Sequence, residues 1–199
     1  MNIQTLIPIL AVLAVLIAAG LIVRLTSLRM RSLRLKRKFG PEYDYTVEKV
    51  GDRRTAEADL KEREKRVVKL DIHELNDHER DRYHGEWTEI QADFVDDPAK
   101  SIERANRLIT EVMIARGFPV ADFEQRAADL SVLYPNFAPK YRQANEIVVK
   151  NQDGSASTED LRQAMISYHS LFDQLLGTVH TVEPMQGHEK EKETEAANG

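Results

Sequence analysis

Residues 97–133 read DPAKSIERANRLITEVMIARGFPVADFEQRAADLSVL, and this stretch decides the fold class. Asp97 followed by Pro98 is a helix cap with a first-turn proline, because the N–H that proline lacks has no intrahelical partner there. Ile102, Ala105, Ile109, Val112 and Met113 recur at the spacing that puts one apolar stripe on a helix. Gly117 after Arg116 is a left-handed terminator, and Phe118-Pro119 turns the chain. Asp122 with Gln125 forms a capping box, after which Phe123, Ala127, Leu130 and Leu133 or Tyr134 carry the next apolar face up to Pro135.

The same signals continue on both sides. Asn76 with Glu79 is a capping box with Leu75 as its staple, and Tyr83, Trp87, Ile90 and Phe94 form the stripe that follows. A helix from about Pro139 uses Tyr141, Ala144, Ile147 and Val148. Ser157 or Thr158 caps a last helix whose face is Leu161, Ala164, Met165, Tyr168, Leu171, Phe172 and Leu175, and Gly177 ends it. After the first 23 residues no alternating run of β-branched residues occurs, so no strand is expected. The expected fold is all-α, with a compact bundle or array of about five helices over 71–177.

Leu6 to Val23 is an uncharged apolar run of eighteen residues, and with Ile3 to Thr5 it makes about 30 Å of helix, enough to span a bilayer. An N-terminal transmembrane anchor is therefore expected over 1–23. No cation precedes it, whereas Arg24, Arg29, Arg31, Arg34, Lys36, Arg37 and Lys38 follow within 24–38. That order is the reverse of a secretory signal and leaves the N-terminus outside and the rest of the chain in the cytoplasm. The seven cations are candidate lipid-headgroup contacts on a basic juxtamembrane helix. Removing them from the total of 28 leaves 21 against 33 acids, so the chain from residue 39 onward carries −12.

Between anchor and bundle, Phe39-Gly40-Pro41 breaks the helix, and Tyr43 to Gly51 reads as an irregular joint. Arg53 to Lys69, capped by Asp52, has only Ala56, Leu60 and Val67 as apolar positions with Leu70 following. So polar a helix is expected to be a solvated spacer, making 39–70 joint and spacer together. Residues 178–199 are polar, charged and expected to form a disordered acidic tail.

The chemistry classes that the chain excludes are more definite than those it admits. With no cysteine there is no disulfide, thiol nucleophile or Cys-based metal site. His73, His78 and His84 cluster among acids, but neither gap is the three or four residues of a helical metal pair, and no HExxH occurs. No phosphate-binding Gly-rich loop, nucleophile elbow or dinucleotide fingerprint is present, so no catalytic residue, cofactor or metal is expected. Nucleic acid is repelled by the −12 domain, and the aromatics at helical spacing are core. One group resists reduction to packing: Arg116, Asp122, Arg126 and Asp129 flank the Gly117 turn, where they form either interlocking helix-end ion pairs or a partner-binding patch.

The segments FGPEYDYTV (39–47), DRRTAEADLKEREKRV (52–67), FVDDP (94–98), RGFPVADFEQRAADLSV (116–132) and YRQAN (141–145) occur in that order. In them the chain resembles a family of uncharacterised bacterial single-pass membrane proteins. The resemblance implies the bacterial inner membrane and an N-terminally anchored architecture, and it implies no catalytic residue. The expected function is a membrane-anchored cytoplasmic helical adaptor without catalytic activity, whose partners are the bilayer and a protein of unspecified kind. The alternative is a membrane-tethered sensor that encloses a small apolar ligand between helices. An enzyme ranks third.

Overall fold

The computed structural model describes residues 29–177 together with Leu16, Ala19, Gly20, Arg24 and Thr26. The expected anchor over 1–23, apart from three of those residues, and the expected tail over 178–199 lie outside the described residues. Among the described residues every element is helical, and no helix is long and apolar enough to cross a membrane.

A helical stretch over 29–39 leads into α1 (Pro41–Val50) and α2 (Arg53–Val67), and then α3 (Asp77–Asp93), α4 (Pro98–Ala115), α5 (Phe123–Leu133), α6 (Ala138–Gln152) and α7 (Thr158–Leu176). The last five are the helices that the apolar stripes announce. α7 packs on α4 and α6, α3 packs on α4, and α5 on α6. Their stripes meet in one core that contains Trp87, Ile109, Met113, Leu130, Tyr141, Tyr168 and Phe172. Trp87 stacks on Phe172 at 4.7 Å between centroids, and Tyr141 meets Tyr168 edge-on at 6.4 Å, arrangements that suit the ring quadrupole. The Tyr168 hydroxyl donates to Asn106 Oδ1 at 3.1 Å, so the buried phenol has a partner, while burial pushes its pKa well up.

The caps follow the sequence closely. Asn76 with Glu79, and Ser157 with Asp160, form reciprocal capping boxes, and Asp97 accepts from Lys100 N. Asp122 makes only half of its expected box: its carboxylate accepts from Gln125 N at 2.8 Å, but the Gln125 amide turns to Asp129. α4 ends in a Schellman motif, with Gly117 N–H donating to Ile114 O and Phe118 N–H to Met113 O. Gly117 sits at φ +92°, and an added Cβ would lie 2.1 Å from the Asp71 carbonyl oxygen, so both backbone twist and the crossing 71–75 segment demand glycine.

Two expectations are corrected in the N-terminal third. The irregular joint over Tyr43 to Gly51 is helix α1, initiated by Pro41 after Gly40 and closed by a left-handed Gly51. The supposed spacer is α2, which packs on α1 and α5 instead of standing in solvent. Its few apolar residues suffice because they fall on one face: Ala56, Leu60 and Val67 are buried, joined there by Arg63. With Leu35, Phe39, Tyr43 and Val132, Leu60 and Val67 build a second, smaller core beside the bundle.

Candidate functional site

The densest buried chemistry lies where the α1–α2 hairpin meets the bundle. Glu42, in the first turn of α1, is completely buried, and its Oε1 accepts from Arg63 Nη1 at 2.8 Å and from Arg142 Nη2 at 2.9 Å. Arg63 reaches it from α2 and Arg142 from α6, so one carboxylate joins three helices. Each arginine has a second acid: Asp59 Oδ2 at 2.5 Å for Arg63 and Glu124 Oε2 at 3.1 Å for Arg142. Lys49 closes the network on Glu124 at 2.6 Å, and the Arg142 guanidinium lies 4.5 Å from the Tyr45 ring centroid. The bond from Lys49, reinforced by Arg142, holds the Glu124 carboxyl below its ordinary range despite partial burial. Glu42 Oε2 and Arg142 Nε have no hydrogen-bond partner.

A second buried carboxylate repeats the device about one turn further along α2. Asp129 of α5 is fully buried; its Oδ1 accepts from Arg66 Nε at 2.9 Å and Nη2 at 2.7 Å, and Gln125 Nε2 donates to it at 3.0 Å. Charges taken out of water cost several kcal/mol per ion unless they are paired and hydrogen-bonded, so these pairings hold the helices in one register.

The four residues singled out around the Gly117 turn do not form ion pairs with one another. Arg116 turns back across the bundle: Nε donates to His73 O at 3.1 Å, and Nη1 donates to Tyr134 Oη at 2.6 Å and to Leu175 O at 3.0 Å. Asp122 is a cap, and Arg126 donates to Tyr141 Oη at 3.3 Å and to the Ala121 carbonyl. Asp129 alone makes a salt bridge, to a residue 63 positions earlier. The physical reason is direction: Arg116 closes α4 and turns back across the bundle, Asp122 is used up in capping its own helix, and Arg126 and Asp129 reach Tyr141 and Arg66 on other helices.

The basic residues also divide. Ser32, Leu35 and Phe39 bury one side of the 29–39 helical stretch, Lys36 pairs with Asp44 at 2.9 Å, and Lys38 pairs with Glu64 at 2.6 Å. Arg29, Arg31, Arg34 and Arg37 stay exposed beside exposed Met30 and Leu33, and Arg24 is exposed as well. Among the described residues no group of three or more histidines or acids is placed to hold a metal ion, and His73 only approaches the Asp71 carbonyl at 2.9 Å.

Glu42, Arg63, Arg66 and Arg142 are the members that inspection of the sequence did not single out. A positional signal existed: Glu42, Arg63 and Arg66, Asp129, and Arg142 fall in four different segments of the five quoted above. The chain matches no family model, no curated protein and no solved structure.

Proposed function

We propose that the chain is a non-catalytic, membrane-anchored adaptor: an N-terminal helix over 6–23 crosses the bacterial inner membrane, and the acidic helical bundle stands on the cytoplasmic side to hold a protein partner there. The observation that carries the reading is the rooting of the basic segment. Leu35 and Phe39 are buried in the second core, and Lys36 and Lys38 pair with α1 and α2, so the 29–39 helix is part of the fold and not a loose tether. A bilayer that holds the preceding residues thereby holds the bundle in a set orientation, and Arg29, Arg31, Arg34 and Arg37 supply headgroup contacts. The buried carboxylates support the absence of catalysis, because Glu42 and Asp129 both bind arginines between helices. The motif resemblance agrees with this architecture.

The test is a full-length chain with one cysteine introduced at residue 190, since the native sequence has none. Protection from a membrane-impermeant thiol reagent in intact cells, with reaction after lysis, is the expected result. Labelling in intact cells contradicts the orientation. In-cell crosslinking is expected to give a discrete heteromeric species that disappears when 6–23 is deleted, and a chain that crosslinks to nothing contradicts the adaptor role.

A further inference from the structure

Arg116 is a buried cation, 8% exposed, with no carboxylate within salt-bridge distance among the described residues. Its three acceptors are neutral: the His73 carbonyl, the Tyr134 hydroxyl and the Leu175 carbonyl. The last belongs to the closing turn of α7, whose carbonyl end compensates part of the charge. A guanidinium has five N–H donors, and these bonds use three, on Nε and Nη1. Both donors of Nη2 are left, and that nitrogen is not among the sealed unpaired atoms. Arg116 and Tyr134 separate two depressions, one of about 80 Å³ that also touches Glu74 and Gly177, and a groove of about 580 Å³. Glu74 makes no ion pair with Arg116.

The larger groove runs along the joint between hairpin and bundle. Apart from Lys38, Arg116 and Tyr134 its lining is aliphatic: Val67, Val68, Leu70, Ile72, Val132 and Leu133. Val68 is 78% exposed and shares this lining with a second exposed apolar residue, Leu133. Lys38 is already paired with Glu64, so Arg116 holds the available positive charge. An apolar trough with one guanidinium that no carboxylate neutralises complements a molecule with a hydrocarbon body and one anionic end. Its volume falls in the range of about 300–1,000 Å³ found for small-molecule sites. An acyl chain carries no hydrogen-bonding group along its length and makes no demand on an aliphatic wall, whereas a peptide brings an amide at every residue.

We propose that this groove binds a long-chain fatty acid, its carboxylate on Arg116 Nη2 and its chain along Val67, Val68, Leu70, Ile72, Val132 and Leu133. The site is independent of the adaptor role, and a membrane provides the ligand at high local concentration if the anchor is as proposed.

The test uses the full chain in phosphatidylcholine nanodiscs with a diazirine-bearing palmitate, with the methyl ester of the same probe for comparison, and maps adducts by peptide mass spectrometry. The acid is expected to label 67–72 and 132–134, and the ester several-fold less. Arg116→Gln is expected to lower labelling by the acid about tenfold, the loss of one charge-assisted hydrogen-bonding partner, and to leave the ester unchanged. Because Arg116 also ties three backbone and side-chain acceptors together, Val68→Glu on the exposed rim is the second variant, and it must also lower labelling by the acid while the melting temperature holds. Equal labelling by acid and ester, indifference to both substitutions, or displacement by an acidic apolar peptide but not by unlabelled palmitate overturns the proposal. So does labelling that appears only when 178–199 is removed, which would assign the groove to the chain's own C-terminal segment.

Discussion

The bundle and the hairpin that leans on it are stabilised by different means. In α3 to α7 the central core is aliphatic and aromatic, with Trp87 stacked on His169 and Phe172, and the buried charges Asp129 and Arg142 are paired with arginine or glutamate of the hairpin. In α1 and α2 the interior is a thin apolar strip from Leu35 to Val67 flanked by Glu42, Arg63 and Arg142. Burial of apolar area is non-directional and tolerates repacking, whereas a buried ion cluster is favourable only while every partner is in place. The hairpin is therefore the part of the molecule whose attachment depends most on individual charges.

The largest expected effect lies in the bundle. Trp87→Ala removes a buried ring whose Nε1 has no partner, so the loss is packing alone, about 3 to 5 kcal/mol. Thermal melting of the full chain checks it, and an unchanged melting temperature would mean that the ring does not hold the core. Glu42→Ala is expected to cost about 3 to 5 kcal/mol as well, by leaving Arg63 and Arg142 buried without their shared acid. Its signature differs: the hairpin becomes open to trypsin while the emission of Trp87, the sole tryptophan, keeps its folded value. Simultaneous loss of both signals would break the distinction between the two regions.

Smaller effects sharpen it. Gly117→Val combines a positive φ with a Cβ 2.1 Å from the Asp71 carbonyl, and is expected to cost at least about 2 kcal/mol by denaturant titration. Asn76→Ala removes one capping box and is expected to cost about 1 kcal/mol, read as fraying of α3 alone. Acidification gives the smallest change. A carboxyl held below its ordinary value stabilises the fold above the unfolded pKa and loses that contribution as pH falls through the folded one. For Glu124, whose ordinary value is 4.5, hairpin attachment weakens as the pH drops below about 4.5, by no more than about 0.5 kcal/mol because the group is largely solvated. Glu124→Gln is expected to remove that part of the pH dependence in a trypsin-sensitivity profile.

How much of this was legible follows from the same contrast. α4 showed itself through Asp97-Pro98 at one end, the Ile102 to Met113 stripe between, and Gly117 at the other, because local caps and apolar periodicity are written within one helix. α1 is hidden behind Phe39-Gly40-Pro41, which reads as a break, and nothing local says that Arg142, 100 residues after Glu42, will bury it. α2 reads as a solvated spacer because charge along a helix ordinarily faces water, whereas Arg63 and Arg66 reach acids on other helices. Arg116 was singled out for the right oddity, a cation beside a sharp turn, but with the wrong partners, since its acceptors on Leu175 and His73 become neighbours only when the chain closes.

The most direct measurement is native-state hydrogen exchange on the full chain, comparing amides in α1 and α2 with those in α4 and α7, for the native sequence and for Glu42→Ala. α1 and α2 are expected to open at lower free energy than the bundle in the native chain, and Glu42→Ala is expected to strip their protection while α4 and α7 keep theirs. Equal loss of protection in all four helices would contradict this, showing that the buried charges and the aromatic core belong to one indivisible unit.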